Sequence, residues 1–257
     1  MDITNRSYTF AKRYIQSHCN SAGMIQIDGI WFDNHSTSTT LIDNDYKNMQ
    51  YEKYCKHKRI IANKNRFKYI QILPWDDISK IQIRKPSIQV SAHDCEIYKL
   101  NPSVGRRFVE KYDIYGNSRG QVLFLGLVLK GELVQVMSFK KASSRSKYDV
   151  QIASMCTKKD YQIYGGFVKL FRFATEYYEL YNIVAYNDLS KFSGEIFEYM
   201  NMKLDHINPP QLIWYNEATG KHIADSVKYL YHKTKEDMIN ESYLPIYTCG
   251  SSVYVYV

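Results

Sequence analysis

This sequence has little cysteine, and the few cysteines it has follow no recognisable pattern. Cys19, Cys55, Cys95, Cys156 and Cys249 are an odd number with wide, irregular spacing, and no two of them form a C-x-x-C pair. Zinc ribbons and disulfide frameworks both depend on close or regular cysteine spacing. Neither is therefore expected, and a reducing compartment fits this usage.

Long apolar runs are also absent. Residues 1–16 contain no apolar signal-peptide core, and no later stretch approaches the roughly 20 apolar residues that a membrane-spanning helix needs. The chain has no internal repeat and, apart from one polar loop, no low-complexity segment. We therefore expect a cytoplasmic protein without a membrane partner.

Aromatic side chains and positive charge are abundant. Hydrophobic residues make up 45% and aromatic residues 15%, with 24 tyrosines, which is typical of a globular chain. The 34 Lys and Arg against 26 Asp and Glu leave a formal charge of +8. A polyanion, above all nucleic acid, is therefore the expected partner, although an ordinary soluble basic surface has the same composition.

The first 88 residues predict a truncated α/β segment. Its predicted elements are a helix at 1–20, a strand and turn within 24–32, a polar loop at 33–48, a helix at 46–65 and a strand at 67–73. Pro74 and Pro86 bracket a short helix at 75–81. We place the domain boundary between residues 88 and 89.

Residues 89–257 predict an α+β domain with a mixed sheet. A helix is expected from Pro102 to Lys111, and Lys130–Gly131 joins the apolar runs 120–129 and 132–139 into a hairpin. A strand at 150–156, a helix after Gly165–Gly166 and a strand at 182–186 then form a unit whose two strands must be parallel. A helix at 193–200 and further strands complete the domain.

Gly165 and Gly166 are the candidate cofactor-binding residues. Glycine lets a backbone approach a phosphate closely, and a helix that follows presents unpaired N–H groups with partial positive charge. Lys158 and Lys159, a few residues upstream, are expected to add to that field. The alternative is a tight strand-to-helix turn with no ligand.

Residues 95–257 resemble phage proteins with a GNAT-type acyltransferase-like domain, related to the Mom-type DNA-modification proteins. The resemblance rests on Cys95-Glu96-Ile97, Leu125-Gly126-Leu127, Gly131-Glu132-Leu133-Val134, Met137-Ser138-Phe139, Gly165-Gly166, Tyr186-Asn187-Asp188, Ser193-Gly194, Lys203-Leu204 and the tail from Glu236 to Tyr254. It implies that Gly165 and Gly166 hold the pyrophosphate of an acyl-CoA. It also implies a host-cell cytoplasmic location and a larger phage or host protein complex.

The chain departs from this family at several positions. Phe197 stands where the family has a tyrosine acid, Asn201 and Met202 replace a Gly-Phe pair, and Gln151 and Ser154 replace a Glu and an Arg. A phenyl ring has no proton to give to a leaving thiolate. Asp188, at the predicted carboxyl end of a parallel strand, is the remaining catalytic candidate, with a loop or helix-cap role as the alternative.

Residues 24–83 resemble the C-terminal half of the PD-(D/E)XK nuclease domains of phage homing-type and Vsr-like endonucleases. The resemblance rests on Ile27-Asp28-Gly29-Ile30-Trp31, Tyr54, Lys58, Ala62, Ile70-Gln71-Ile72 and Trp75-Asp76. Such nucleases hold Mg²⁺ with clustered carboxylates, yet Gln26 stands where an acid is expected. Mg²⁺ is therefore expected only if this half is active as a nuclease. Asp28, Asp33 and His35 are then a partial substitute for the missing metal ligands. No metal site is assigned.

Two basic clusters are the candidate nucleic-acid contacts. They comprise Lys53, Lys56, Lys58, Arg59 and Lys64 on the predicted helix and Lys140, Lys141, Arg145 and Lys147 between two predicted strands. Cations interleaved with aromatic rings are suited to phosphate contacts and base stacking. The alternative for the first cluster is a solvated helix face, and the alternative for the second is an ordinary mobile hairpin loop.

Three functional hypotheses remain. The favoured hypothesis is a phage DNA-binding accessory protein with a GNAT-like domain whose catalytic centres have decayed. The alternatives are an acyl-CoA-dependent DNA-modifying transferase of Mom type and a metal-dependent homing-type endonuclease.

Overall fold

The computed structural model of the chain describes residues 24–27, 30–34, 68–81, 86–227 and 232–257. Its strands are β1 (Met24–Ile27), β2 (Ile30–Asn34), β3 (Lys68–Ile72), β4 (Ile88–Ser91), β5 (Glu96–Lys99), β6 (Gln121–Leu129), β7 (Glu132–Lys141), β8 (Val150–Thr157), β9 (Tyr161–Tyr164), β10 (Ile183–Asp188), β11 (Lys203–Asn208), β12 (Leu212–Asn216), β13 (His222–Ala224), β14 (Tyr243–Tyr247) and β15 (Ser251–Tyr256). Its α-helices are α1 (Pro102–Tyr112), α2 (Gly166–Tyr177), α3 (Glu195–Tyr199) and α4 (Lys235–Asn240).

The chain divides into two compact units, each made of several segments. The first contains Met1–Ser79, Asp188–Ser193 and Asn208–Ser251, and the second contains Lys80–Asn187, Gly194–Ile207 and Ser252–Val257. The sequence-based boundary between residues 88 and 89 stays a prediction. The predicted helices at 1–20 and 46–65 lie outside the described residues.

The first unit contains two three-stranded sheets. In one, β1 pairs antiparallel with β2 and β2 pairs parallel with β3. In the other, β12 lies between β13 and β14 and is antiparallel to both. A capping box begins α4, in which Thr234 Oγ1 accepts from Asp237 N and Asp237 Oδ2 accepts from Thr234 N. Met238 of this helix is buried with Trp214 and Tyr243.

The second unit is built on a seven-stranded sheet with the order β11-β15-β10-β8-β7-β6-β5. β5 to β8 pair antiparallel in sequence order, whereas β8 and β10 are parallel, as the intervening helix predicted. Lys130 and Gly131 turn the β6–β7 hairpin at φ angles of 48° and 83°, which is the geometry of a tight primed turn. The predicted fold class, α+β with a mixed sheet, is confirmed.

Helices cover both faces of this sheet because side chains alternate along its strands. α1 packs on one face and α2 with α3 on the other. The α1 side buries Phe108, Val109, Phe124, Val136 and Cys156, and the α2 side buries Leu125, Met137, Ile152, Leu170, Phe171, Ala174, Ile183, Ala185 and Phe197.

Several elements differ from the sequence prediction. The short helix expected at 75–81 is a single 3-10 turn at Ile78–Lys80, and α3 is shorter than the predicted 193–200. A parallel pair of β4 and β9 was not predicted, and β15 lies between β10 and β11. In the described ranges, no helix is long and apolar enough to cross a membrane.

Candidate functional site

A gap opens between the carboxyl-terminal halves of β8 and β10. The parallel register joins only Ile183 to Val150 and Val184 to Gln151. Directly afterwards, the β7–β8 register shifts, so that Ala153 is an extra residue between Ile152 and Ser154. Such a bulge bends its strand and increases the local twist. The bulge therefore accounts for the divergence of β8 from β10 beyond Gln151.

Helix α2 begins without a side-chain cap. Its N-cap, Gly165, has a φ of 72° and makes no side-chain hydrogen bond. Lys169 N donates to Gly165 O at 2.9 Å, which leaves the N–H groups of residues 166–168 ahead of the first helical hydrogen bond. These donors carry the positive end of the helix dipole, so they favour an anion.

The two glycines are favoured for different reasons. At Gly165 an added Cβ would meet only Ala92 Cβ, at 3.9 Å, so that position favours glycine only for its backbone angle. At Gly166 an added Cβ would lie 2.0 Å from Gln135 Oε1 and 2.9 Å from Ile163 Cγ2. The start of α2 therefore lies directly on Gln135 of β7.

Gln135 joins the start of α2 to the end of β8. Its side chain is 1% exposed, and Nε2 donates to Thr157 Oγ1 at 2.9 Å. Its Oε1 is buried and has no hydrogen-bond partner among the described residues. A buried acceptor without a donor costs about 1–3 kcal/mol. This unsatisfied acceptor lies directly beneath Gly166, at the amino end of α2.

The neighbouring lysines contribute less to this field than the sequence predicted. Lys158 forms an ion pair with Glu132, and hydrogen bonding to Glu132 raises the Lys158 pKa. Lys169 Nζ donates to the carbonyls of Ala92 and Cys95 at 2.9 and 2.6 Å. Lys159 is exposed. Lys158 and Lys169 are therefore already engaged within the chain.

Asp188 forms a turn. Its Oδ1 accepts from Ser190 N at 2.7 Å, and its carbonyl accepts from Lys191 N and Phe192 N at 3.1 and 3.0 Å. It belongs to the first unit, whereas Gly165 and Gly166 belong to the second. This is the loop role that was the alternative at the sequence level, and a catalytic role for Asp188 stays a prediction.

Next to this turn lies a buried ion pair that the sequence did not reveal. Lys191 Nζ and Asp76 Oδ2 are 2.5 Å apart, and their side chains are 3% and 10% exposed. Asp76 Oδ2 also accepts from Leu73 N at 2.7 Å. Burial raises the pKa of Asp76 and Lys191 opposes that rise. Because the partners are 115 positions apart in the sequence, no local sequence signal could have paired them.

Phe197, Asn201 and Met202 have clear structural roles. Phe197 is 6% exposed in the α2-side core. Asn201 has a φ of 57°, the left-handed conformation that glycine adopts most easily, and Met202 is buried. The departures at Asn201 and Met202 therefore preserve the turn and the core.

A phenol from β15 lies beside Phe197. The rings of Tyr254 and Phe197 stack with centroids 4.9 Å apart and an interplanar angle of 23°. The Tyr254 hydroxyl lies 2.7 Å from the place of a Cβ on Gly194, whose φ is 89°. Asn187 Nδ2, 3.1 Å from the same place, donates to Ser252 Oγ at 3.0 Å. Burial raises the pKa of Tyr254, and a hydrogen bond with Ser252 opposes that rise.

The sequence analysis named Tyr254 only as part of the resemblance and gave it no role at the site, although a signal was present. Alternation in the tail predicted a strand, which places Tyr254 and Tyr256 on one face and Val253 and Val255 on the other. In the structure both faces pack into a core: Tyr254 and Tyr256 on the α2 side, and Val253 and Val255 with Ala142 and Val184. The neighbour of Tyr254 across the core could not be deduced, because Phe197 comes from a different element.

Ser154 belongs to a buried polar network on the α1 side of the sheet. Gln121 Nε2 donates to Ser154 Oγ at 3.0 Å and to Ser138 Oγ at 2.8 Å. Asp113, at the end of α1, has a pKa raised by burial and lowered in part by hydrogen bonds with Tyr115 and Ser154. The serine that replaces a charged residue is thus hydrogen-bonded to Gln121 and Asp113. Gln151 pairs with Lys140 across the strands.

The predicted nucleic-acid contacts are partly described. Lys141, Arg145 and Lys147 are exposed, and Lys147 Nζ lies 3.7 Å from Asp205 Oδ1. Lys140 and Lys141 close β7 and are not part of the loop proper. The second basic cluster, Lys53, Lys56, Lys58, Arg59 and Lys64, lies outside the described residues.

The nuclease-like segment is described only in its strands. Gln26 lies opposite Trp31, and Asp33 lies opposite Met24 on one side and Gln71 on the other. Asp28 and His35 lie outside the described residues. In the part of the chain that is described, no group of three or more His, Cys, Asp or Glu side chains is placed to hold a metal ion.

Comparison with known proteins shows structural similarity only. No family model matches the chain, and no curated protein matches its sequence. One similar solved structure is Arabidopsis thaliana NAA60 in complex with acetyl-CoA, with 12% identity, a TM-score of 0.37, and coverage of 63% of this chain and 98% of that one. Another is a GNAT family acetyltransferase from Elizabethkingia anophelis with acetyl-CoA bound, with 9% identity, a TM-score of 0.36, and coverage of 63% and 97%.

Proposed function

We propose that the second unit binds an acyl-CoA-type thioester and transfers its acyl group. The observation that carries this proposal is the amino end of α2, which has no side-chain cap and lies on Gln135 of β7. Gln135 is hydrogen-bonded to Thr157 at the end of β8, beyond the point where the pairing of β8 with β10 stops. Phosphate is the anion that such a helix start favours. The pyrophosphate of the ligand would therefore accept from the N–H groups of residues 166–168.

The diverging strands suit the rest of the ligand. Beyond Gln151 and Val184, the facing edges of β8 and β10 lack the ladder that joins them earlier. Unpaired backbone groups in such a gap need partners. The pantetheine arm carries amide groups that can donate and accept, so it can take the place of the missing strand contacts.

Acyl transfer also requires a proton for the leaving thiolate. As the acceptor attacks the thioester carbonyl, the C–S bond breaks and the sulfur takes a proton, while the acceptor loses its own proton to water. Phe197 cannot supply the proton, but the Tyr254 hydroxyl lies beside it, next to Asn187 near the carboxyl end of β10. We assign the acid role to Tyr254.

The helix start is tested by a charge placed at its N-cap. Gly165→Asp and Gly165→Asn have nearly the same shape, both residues tolerate a positive φ, and the position is open to 3.9 Å. Only the aspartate repels a pyrophosphate. Calorimetry with acetyl-CoA should show Gly165→Asp binding at least about tenfold more weakly than Gly165→Asn. Gly165→Asp should melt no lower than Gly165→Asn, because a negative charge at a helix start is stabilising.

Two results would contradict the proposal. One is the absence of binding heat between the wild-type chain and both acetyl-CoA and CoA. The other is an equal loss for the two variants, because an equal loss shows that charge at the helix start has no part in binding.

A second candidate function is DNA binding, as in the phage accessory and Mom-type proteins that the sequence resembles. The formal charge of +8 and the exposed cations Lys141, Arg145 and Lys147 support it. Combined with acyl transfer, it makes a DNA base the candidate acceptor. Without transfer, it leaves a DNA-binding accessory protein within a larger phage or host complex.

A further inference from the structure

A second cleft lies in the second unit, on the side of the sheet that α2 covers. It has a volume of about 250 Å³ and is lined by the second half of α2, the end of α3, the loop before β10 and the end of β15. The α2 residues that line it, from Phe171 to Glu176, stand about 7–15 Å along the helix axis from Gly166. This cleft is therefore separate from the proposed pyrophosphate site.

The cleft has an apolar floor and three tyrosines around it. Phe171 and Met200 are 2% and 3% exposed and form the floor. The ring of Tyr256 stands edge-on to Phe171, with centroids 5.2 Å apart and an interplanar angle of 89°. Tyr181 and Tyr199 also line the cleft and are 60% and 70% exposed. Aromatic rings in this arrangement favour a ligand with a flat apolar body.

The segments that carry the two exposed tyrosines are held by the fold. Tyr181 precedes Asn182, whose Nδ2 donates to Asp149 Oδ2 at 2.9 Å. Tyr199 is the last residue of α3, and the turn that follows is fixed by Asn201 at a φ of 57°. The cleft is thus formed before any ligand enters, which lowers the ordering cost of binding.

One positive and one negative side chain stand at the rim of the cleft. Arg172 and Glu176 line it from the exposed side of α2, one helical turn apart. Their Cβ atoms are about 5–6 Å apart at this spacing, within reach of an ion pair. Among the described residues, however, neither side chain has an ion-pair partner within 4 Å. Both charges are therefore available to a ligand.

The two charges together select the class of ligand. A phosphate-bearing ligand would bring its negative charge against Glu176, and a simple amine would bring its positive charge against Arg172. An α-amino acid carries a carboxylate and an ammonium group on one carbon atom, so it can match both side chains. A guanidinium also binds a carboxylate through two parallel hydrogen bonds, which orients the ligand.

We infer that this cleft binds a free α-amino acid with an aromatic side chain. The Arg172 guanidinium donates to the ligand carboxylate, and the ligand ammonium donates to the Glu176 carboxylate. The aromatic side chain packs among the tyrosines over Phe171. No part of this inference depends on the acyl-CoA site.

The test is calorimetry of the full chain with L-phenylalanine and two probes that each lack one charge. 2-Phenylethylamine has no carboxylate, and 3-phenylpropionate has no ammonium group. The wild type should bind phenylalanine at least about tenfold more tightly than either probe. Arg172→Gln should weaken phenylalanine about tenfold without weakening 2-phenylethylamine, and Glu176→Gln should do so without weakening 3-phenylpropionate.

Arg106→Gln supplies the matched control, because Arg106 is an exposed arginine on α1, which packs on the opposite face of the sheet. It removes the same charge and should leave all three affinities unchanged. Melting curves of the three variants separate a folding defect from a binding defect. The inference is overturned if phenylalanine shows no saturable binding to the wild type at millimolar concentration. It is also overturned if the three ligands bind alike, or if Arg106→Gln weakens phenylalanine as much as Arg172→Gln.

Discussion

Single residues decide whether the proposed site can catalyse as well as bind. Tyr254 is the phenol beside Phe197, and burial keeps its pKa above the ordinary value of 10.0. The group therefore stays protonated throughout the neutral range, which is the state a general acid needs. The proposed acid, Tyr254 of β15, thus lies beside Phe197, which stands where the resembling family has a tyrosine.

Tyr254→Phe should reduce acyl transfer from acetyl-CoA by about a hundredfold, because the leaving thiolate loses its proton donor. Binding of acetyl-CoA should not change, since the ring and its packing on Phe197 remain. The wild-type rate should also fall at alkaline pH as the phenol ionises above its ordinary pKa of 10.0. The measurement is a pH profile of kcat and kcat/KM for both proteins, and an unchanged alkaline limb in Tyr254→Phe would assign the proton to another group.

At the scale of elements, helix α1 depends on a close approach to the sheet. A Cβ on Gly105 would lie 2.4 Å from Phe124 Cδ1 and 2.8 Å from Phe124 Cβ, and Phe124 is 1% exposed. Helix propensity favours alanine over glycine by about 1 kcal/mol. Overpacking a rigid core costs about 1–3 kcal/mol, so the clash should win.

Gly105→Ala should therefore lower the free energy of unfolding despite its better helix propensity. Val104→Ala, at the exposed neighbouring position of α1, is the matched control and should be neutral or slightly stabilising. Urea denaturation of the three proteins measures both effects. If Gly105→Ala proves as stable as the wild type, the packing of α1 on Phe124 is looser than described.

Local elements were predictable because their signals are local. The β6–β7 hairpin follows from Lys130–Gly131, α1 from Pro102 and its apolar spacing, and the parallel β8–β10 pair from the helix between them. The position of β15 between β10 and β11 was not predictable, because strand pairing across some 60 residues leaves no pattern in either segment. The bulge at Ala153 was also missed, because an extra residue in a strand leaves no recognisable pattern in the sequence.

The candidate site shows the same division. The sequence predicted Gly165 and Gly166 at a helix start, where the structure places them. It did not predict that Gln135 lies beneath Gly166, or that Lys191 pairs with Asp76, since these partners come from distant segments. Periodicity assigns a residue to a face, but only the folded chain assigns its neighbour.

At the scale of the whole molecule, net charge dominates the expected behaviour towards DNA. A chain with a formal charge of +8 should bind duplex DNA with an affinity that falls steeply with salt, because each neutralised phosphate releases counterions. Lys141 and Arg145 are exposed in and beside the loop between β7 and β8, and neither has an acidic partner within 4 Å among the described residues. Lys233, in contrast, is paired with Glu241.

Lys141→Gln combined with Arg145→Gln should weaken binding to all duplex sequences alike and reduce the slope of log affinity against log salt by about 2, since each cation contributes about one phosphate contact. Lys233→Gln should change neither quantity, because its charge is already neutralised by Glu241. Fluorescence anisotropy with two unrelated duplexes at several salt concentrations measures both. An affinity that barely responds to salt would show that the positive charge of this chain serves solubility and not a polyanion, and it would leave acyl transfer to an acceptor other than DNA.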